Sequence, residues 1–242
     1  MSWIKREKRT PKPIWNAIRQ VNKGFFKYNV KLNLDKLRNT LRTTLIDIWE
    51  YVIPIWKISG LFKRIKSKED LENFIQERSA HVTQTTLYGY LKTRIGVKYI
   101  AMMEDERFLK SINLAKWNIY VVALADCAFY VFSYLISEKN LQENDCEEIF
   151  LNILENEKKN GLSDEIFDRG KKHFLERLDK VNFSNYHLNE PFKESGQALY
   201  YWSPIADELK SLDKKIVLNS IHLKWGLMKE EFKKLTKNLK FD

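Results

Sequence analysis

Apolar residues recur at intervals of three and four along most of the chain, which is the spacing of one face of an α-helix. The first clear run follows Asn33 and consists of Leu34, Leu37, Leu41, Leu45, Ile48 and Trp49. Pro54 should kink or end that helix. The pair Ser67 and Asp70 has the spacing of a capping box, so we expect a second helix to start there and to stop at Gly96.

A third helix is predicted after the acids Glu104, Asp105 and Glu106, which the positive end of a helix dipole stabilises in a first turn. Its apolar stripe is Phe108, Ile112, Ala115, Ile119, Val122, Asp126, Phe129 and Ser133. The stretch of residues 117–136 is long enough to span a membrane, and its single charge is Asp126. A central carboxylate is costly in lipid, so a helix buried in a bundle is the favoured interpretation.

Two shorter helices should begin near Asp145 and at Ser163, and residues 182–204 are predicted to form an extended loop. A long helix is expected after Pro204. Its apolar stripe is Val217, Ile221, Trp225, Met228, Phe232 and Leu235. This stripe could dock along a helix of a partner protein or pack within its own domain, and the second alternative is favoured.

These elements predict an all-α protein, an irregular multi-helix bundle with long central helices and a basic N-terminal arm. The chain holds only 8 Gly and 5 Pro, few for the turns that sheet architectures need. We expect two parts: a basic, Trp/Lys-rich amphipathic arm over residues 1–66 and a helical bundle domain over residues 67–242.

Charge is unevenly distributed. The whole chain has a net charge of +10: residues 1–66 carry +12, residues 67–209 carry −7 and residues 210–242 carry +5. A basic end favours an anionic partner, such as a lipid headgroup layer, a nucleic acid or an acidic protein. The residues predicted to bind that membrane or partner are Trp15, Arg19, Lys23, Trp49, Trp56, Lys63, Arg64 and Lys66.

Common catalytic motifs are missing from the sequence: it has no GxGxxG, GxxxxGK[ST], GxSxG or HExxH. No metal, cofactor or small-molecule substrate is therefore predicted. The candidate catalytic group is Glu77, His81 and Asp126, because Glu77 and His81 share a helical face and a buried Asp126 needs a partner. His81, Arg78 or Arg94 could supply that partner. The group is either an acid–base pair or, as we favour, a polar network that fixes helix register.

The stretch Glu77–Tyr130 contains ERSAHVTQTTLYGYLKTRIG and EDERFLKSINLAKWNIYVVALADCAFY. It resembles a set of small helical proteins of alphaproteobacteria, largely uncharacterised, some of which carry an esterase label. The resemblance implies a bacterial helical protein on the cytoplasmic side. It supplies no catalytic residues, and no serine here stands in a nucleophile elbow to support the esterase label.

The pattern as a whole favours a non-enzymatic adaptor or accessory protein that docks on an anionic membrane surface or a larger complex through its basic N-terminal region. Its expected location is the cytoplasm, with peripheral attachment to the inner face of the inner membrane. Two alternatives stay open. One is binding of RNA or single-stranded nucleic acid, and the other is an enzyme with an unmarked site around Asp126.

Overall fold

The structure, a computed structural model, describes residues 65–139, 141 and 145–239. The helices are α1 (Lys68–Ile95), α2 (Tyr99–Met102), α3 (Glu106–Lys139), α4 (Asp145–Lys159), α5 (Asp164–Leu178), α6 (Lys193–Trp202) and α7 (Asp207–Leu235). Short 3-10 turns cover Gly96–Lys98 and Tyr186–Leu188, and these described residues form no strand. The predicted all-α multi-helix fold is thus confirmed for this part of the chain, whereas the arm over residues 1–66 lies almost wholly outside it.

Local signals set the helix ends as the sequence predicts. Ser67 Oγ accepts a hydrogen bond from the Asp70 backbone N–H, and the Asp70 carboxylate accepts one from the Ser67 N–H, at 3.1 and 3.2 Å. Gly96, at φ 60°, ends α1 in a left-handed conformation that a side chain would disfavour. Asp105 precedes α3 and accepts hydrogen bonds from two backbone N–H groups, so only Glu106 of the three predicted acids lies inside the helix.

Helix α3 is the centre of the bundle. Every residue from Asn118 to Ser133 is buried except Val122, which is half-buried. The buried surface of α3 is therefore wider than the single stripe that was predicted. A helix that is apolar on all sides is buried among other helices. Its membrane-length window has a mean hydropathy of 1.9, and 83% of that window is buried, as in the core helix of a soluble protein.

Aromatic rings fill the space between α3 and its neighbours. Phe174 of α5 stacks between Phe150 of α4 and Phe129 of α3, with ring centroids 3.7 and 4.8 Å apart. Phe232 of α7 packs against Phe74 of α1, with the two ring centroids 5.1 Å apart. Stacked rings of this kind bury large apolar areas and hold neighbouring helices at fixed distances.

The prediction of an extended loop over residues 182–204 is wrong, because this segment contains α6 and a 3-10 turn. The buried face of α6 consists of Ser195, Gly196, Ala198 and Leu199. Small residues give a weak apolar periodicity, which is why the pattern does not predict the helix. They let α6 approach α7 closely: a Cβ on Gly196 would lie 3.1 Å from a methyl of Leu218.

The apolar stripe of α7 packs inside the bundle. Val217, Ile221, Trp225, Met228 and Phe232 are all buried, and Leu235 is half-buried. The stripe is therefore part of the core and is not available to a helix of another protein. This corrects the partner-helix interpretation and agrees with the alternative of packing within its own domain.

A buried carboxylate also ties α4 to the core. Glu157 accepts hydrogen bonds from Tyr120 Oη at 2.5 Å, Gln76 Nε2 at 2.7 Å and Asn160 Nδ2 at 3.1 Å. Glu157 is only 5% exposed, so these donors replace the water that the carboxylate loses on burial. They join α1, α3 and α4 through one side chain.

Close packing of α5 on α3 yields a first prediction. A Cβ on Gly170 of α5 would lie 2.3 Å from Val121 Cγ1, so Gly170→Ala should lower the free energy of unfolding by about 1–3 kcal/mol through overpacking. Gly226 of α7 is the matched control, because a Cβ there meets nothing within 4 Å. Gly226→Ala should stabilise by about 0.5–1 kcal/mol through helix propensity.

Denaturant unfolding of both variants, followed by circular dichroism, measures the two effects. If Gly170→Ala is as stable as Gly226→Ala, the close approach of α5 to α3 is contradicted.

Candidate functional site

Asp126 lies at the middle of α3 and is fully buried. Its Oδ1 accepts a hydrogen bond from Arg177 Nη2 of α5 at 2.8 Å, and its Oδ2 accepts one from the Ser195 backbone N–H at 2.7 Å. That N–H belongs to the first turn of α6, where helix N–H groups lack partners within the helix. Burial nevertheless dominates and raises the pKa of Asp126 to about 6, although Arg177 and Ser195 favour the ionised form.

Arg177 holds several groups together. Its Nη2 also donates to Tyr186 Oη at 2.8 Å, and Tyr186 Oη donates in turn to the Pro191 carbonyl at 2.8 Å. Its Nη1 lies 3.2 Å from a carboxylate oxygen of Glu194, and its guanidinium lies 4.6 Å from the centroid of the Phe129 ring. One side chain thus connects α3, α5, α6 and the 3-10 turn before α6.

A second branch of the network leaves from Ser195. Its hydroxyl donates to the Phe192 carbonyl and accepts a hydrogen bond from Trp225 Nε1 of α7, each at 3.0 Å. Trp225 is fully buried and stacks on Phe192 with ring centroids 4.4 Å apart. The contacts of Asp126 therefore extend through α6 to the inner face of α7.

The structure does not bring the predicted catalytic group together. Glu77 is exposed and lies 3.8 Å from Arg78, while half-buried His81 has its pKa lowered by burial and by nearby Lys224. Neither contacts Asp126. The prediction fails because α3 is buried on all sides, so periodicity cannot tell which neighbouring helix each of its residues faces.

The other two predicted partners of Asp126 pair elsewhere. Arg78 forms a two-pronged ion pair with Glu231 at 2.8 and 2.6 Å, and Arg94 pairs with Asp213. Both pairs join α1 to α7. A polar network does surround Asp126, but its charged member is Arg177, which no spacing in the sequence connects to Asp126.

A polar cleft of about 510 Å³ borders this network, with Arg177, Tyr186 and Glu194 on its wall. His173 Nε2 lies 3.0 Å from a Glu194 carboxylate oxygen at its edge. The hydrogen bond from His173, together with the charge of Arg177, lowers the pKa of Glu194. Asp126 is fully buried behind the cleft, whereas Arg177, Tyr186, Glu194 and His173 line it and could touch a small molecule there.

The second notable surface is the outer face of α7, which we define as Leu209, Leu212, Ile216, Leu223 and Leu227. Four of its five side chains have exposed fractions near 70%, from Ile216 at 68% to Leu212 at 75%. Scattered exposed leucines are ordinary, whereas a continuous apolar row on one helix marks an interaction surface. The five residues follow one another at intervals of 3, 4, 7 and 4 in the sequence. This helical spacing was therefore visible in the sequence, beside the more regular spacing of the buried stripe.

Most of the residues predicted to bind an anionic partner lie outside the described residues: Trp15, Arg19, Lys23, Trp49, Trp56, Lys63 and Arg64. Lys66 is described and its side chain is exposed, directly before the capping box of α1. Within the part of the chain that the structure describes, no three His, Cys, Asp or Glu side chains are grouped to hold a metal ion.

The buried carboxylate predicts an unusual pH dependence for Asp126→Asn. Because the pKa of Asp126 is raised in the folded state, its ionisation opposes folding as the pH rises from about 4 to about 6. The Asp126→Asn variant lacks this loss. Its unfolding free energy relative to the wild type should therefore increase by up to about 3 kcal/mol over that range. Denaturant unfolding at several pH values measures the difference.

Glu194→Gln is the control with the opposite sign. The pKa of Glu194 is lowered in the folded state, so the stability it contributes is lost as the pH falls below about 4.5. The unfolding free energy of Glu194→Gln relative to the wild type should therefore increase only in acid. A difference between Asp126→Asn and the wild type that stays constant with pH would contradict the burial of an ionisable carboxylate.

No protein-family model, curated protein or solved structure matches this chain. The resemblance to small helical proteins of alphaproteobacteria accordingly stays a prediction, and the roles given to residues rest on the contacts of this chain's own side chains.

Proposed function

We propose that the chain is a non-enzymatic helical adaptor that docks on an anionic membrane surface through its basic residues 1–66. The observation that carries the proposal is the separation of charge, +12 over residues 1–66 against −7 over residues 67–209. The rest of the chain carries a net charge of −2, because residues 210–242 add +5, so attraction to an anionic surface comes mainly from the basic N-terminal region. Each Lys or Arg near such a surface contributes about 1 kcal/mol.

The composition of the basic end supports lipid as the anionic partner. Trp49 and Trp56 are amphipathic rings of the kind that occupy the headgroup layer, and Lys63, Arg64 and Lys66 follow them. The bundle supports peripheral attachment, because α3 is covered by other helices and offers no free membrane-spanning segment. The protein would then hold its helical body at the surface, where a larger complex could assemble on it.

Nucleic acid is the competing anionic partner. Basic residues interleaved with aromatic ones also suit single strands, where bases stack on the rings. The two partners differ in what they require. Lipid binding should need Trp49 and Trp56 as well as charge, whereas binding to a polyanion should depend on charge and weaken steeply with salt.

Flotation of the full chain with vesicles tests the proposal. The protein should float with vesicles that contain anionic lipid and stay behind with neutral ones. The triple variant Lys63→Glu, Arg64→Glu, Lys66→Glu should lower vesicle binding at least about tenfold, because three attractive charges become repulsive. The pair Trp49→Ala, Trp56→Ala should weaken binding even at low salt.

The matched control makes the same charge change on the bundle, at the exposed residues Lys98, Lys110 and Lys171. It should float like the wild type. Failure of the wild type to float with anionic vesicles overturns membrane docking. If the protein then binds RNA or single-stranded DNA with a steep salt dependence, nucleic acid is the partner of the basic end.

A further inference from the structure

We propose that the outer face of α7 binds the same face of a second copy of the chain, with the two α7 helices antiparallel. This inference rests on the described bundle alone and is independent of membrane docking. The face is apolar except at Asn219 and is unpartnered within the described residues, and Leu209 and Leu227 mark its two ends. Leu227 lies 18 residues after Leu209, a distance of about 27 Å at a rise of 1.5 Å per residue.

The spacing of the outer face is that of a coiled-coil seam. Leu209, Ile216 and Leu223 follow one another at intervals of seven, and Leu212 and Asn219 alternate with them at intervals of three and four. Such a seam packs best against another seam of the same period, because each side chain then fits between residues of the facing helix. A second copy of the chain has a seam of the same spacing.

An antiparallel register pairs the seam with itself. Leu212 comes opposite Leu223 of the second copy, and Ile216 comes opposite Asn219 of the second copy. Leu209 then faces Gly226 of the second copy, which has no side chain and a free space of 4 Å at its Cβ position. Each of these pairs occurs twice, since the contact is two-fold symmetric.

Asn219 has a role in this register. The two Asn219 residues lie about 4.5 Å apart along the helix axes, three residues of rise, so their amides can hydrogen-bond across the two-fold axis. A single polar residue in an apolar seam fixes register and partner number at some cost in stability. Asn219 is exposed in the single chain, as this role requires.

Charges beside the seam favour the antiparallel orientation. In that register Glu208 lies next to Lys229 of the second copy, at both ends of the contact. A parallel pair would instead place Lys229 beside Lys234 of the second copy, and this contact joins like charges. The charge pattern therefore selects one of the two orientations.

The same features make lipid a poor occupant of the outer face. Asn219 lies in the middle of the row, and Glu230 continues the line of Ile216 and Leu223 one interval further. Both side chains would have to enter the hydrocarbon together with the leucines, where unpaired polar groups are costly. Against a second helix, by contrast, Asn219 finds a partner.

Sedimentation equilibrium of the full chain over a wide concentration range tests the proposal. The wild type should show a reversible monomer–dimer equilibrium. In Leu212→Glu, Leu223→Glu, each antiparallel layer brings two carboxylates together, so self-association should weaken at least about tenfold. Both residues are largely exposed, so circular dichroism and the unfolding midpoint should show the bundle intact. Ile100→Glu, with 76% exposure elsewhere on the surface, should dimerise like the wild type.

A charge pair then tests orientation. In Leu212→Glu, Leu223→Lys, antiparallel packing brings each new carboxylate opposite a new ammonium group, whereas parallel packing brings like charges together. Recovery of the dimer relative to Leu212→Glu, Leu223→Glu supports the antiparallel contact, and absence of recovery overturns that orientation. A wild type that stays monomeric throughout, or a double-Glu variant that dimerises unchanged, overturns the second copy as occupant. An unchanged mass with weaker vesicle flotation of the double-Glu variant would assign the face to lipid instead.

Discussion

A carboxylate lies in a fully buried position of the bundle, and hydrogen-bond donors of neighbouring helices compensate for its burial. Asp126 stands at the centre of α3, where water cannot reach it. A buried charge without partners is strongly destabilising, so α5 must bring Arg177 and α6 must bring its first-turn N–H to the same point. These two requirements fix α5 and α6 relative to α3 in both position and rotation. Apolar packing alone would tolerate several rotations of such helices.

The placement of α6 then determines that of α7. Ser195 connects the two, because its N–H contacts Asp126 and its hydroxyl accepts the indole N–H of Trp225. The ion pairs of Arg78 and Arg94 hold α7 from the side of α1. With the inner face of α7 fixed in this way, its outer leucines are presented in one defined orientation. A surface that binds a symmetric partner needs this rigidity, since a loosely held helix would lose part of the binding energy in ordering.

Much of the fold could be read from local patterns, because helix ends and amphipathic faces depend on residues that are close in sequence. The capping box at Ser67, the stop at Gly96 and the starts of α4 and α5 are of this kind. The partners of Asp126 were predicted wrongly, because they are distant from it in the sequence. Arg177 and Asp126 are 51 positions apart, and Ser195 contributes a backbone group that every residue possesses. Helix α6 was missed because its buried face consists of small residues. For the outer face of α7 the spacing was visible, but only the structure separates it from the buried stripe.

The central position of α3 has a consequence for biosynthesis. The ribosome completes α3 at Lys139, whereas the rings and leucines that cover it arrive with α5, α6 and finally α7, which ends at Leu235. At ordinary translation rates those residues take roughly 5 to 20 s to synthesise. For that time α3, a helix of membrane-spanning length and apolarity, has only α1 available to cover it, and its one carboxylate lacks its arginine. Asp126 thus has a second effect in the unfinished chain: its carboxylate disfavours insertion of the incompletely covered helix into lipid.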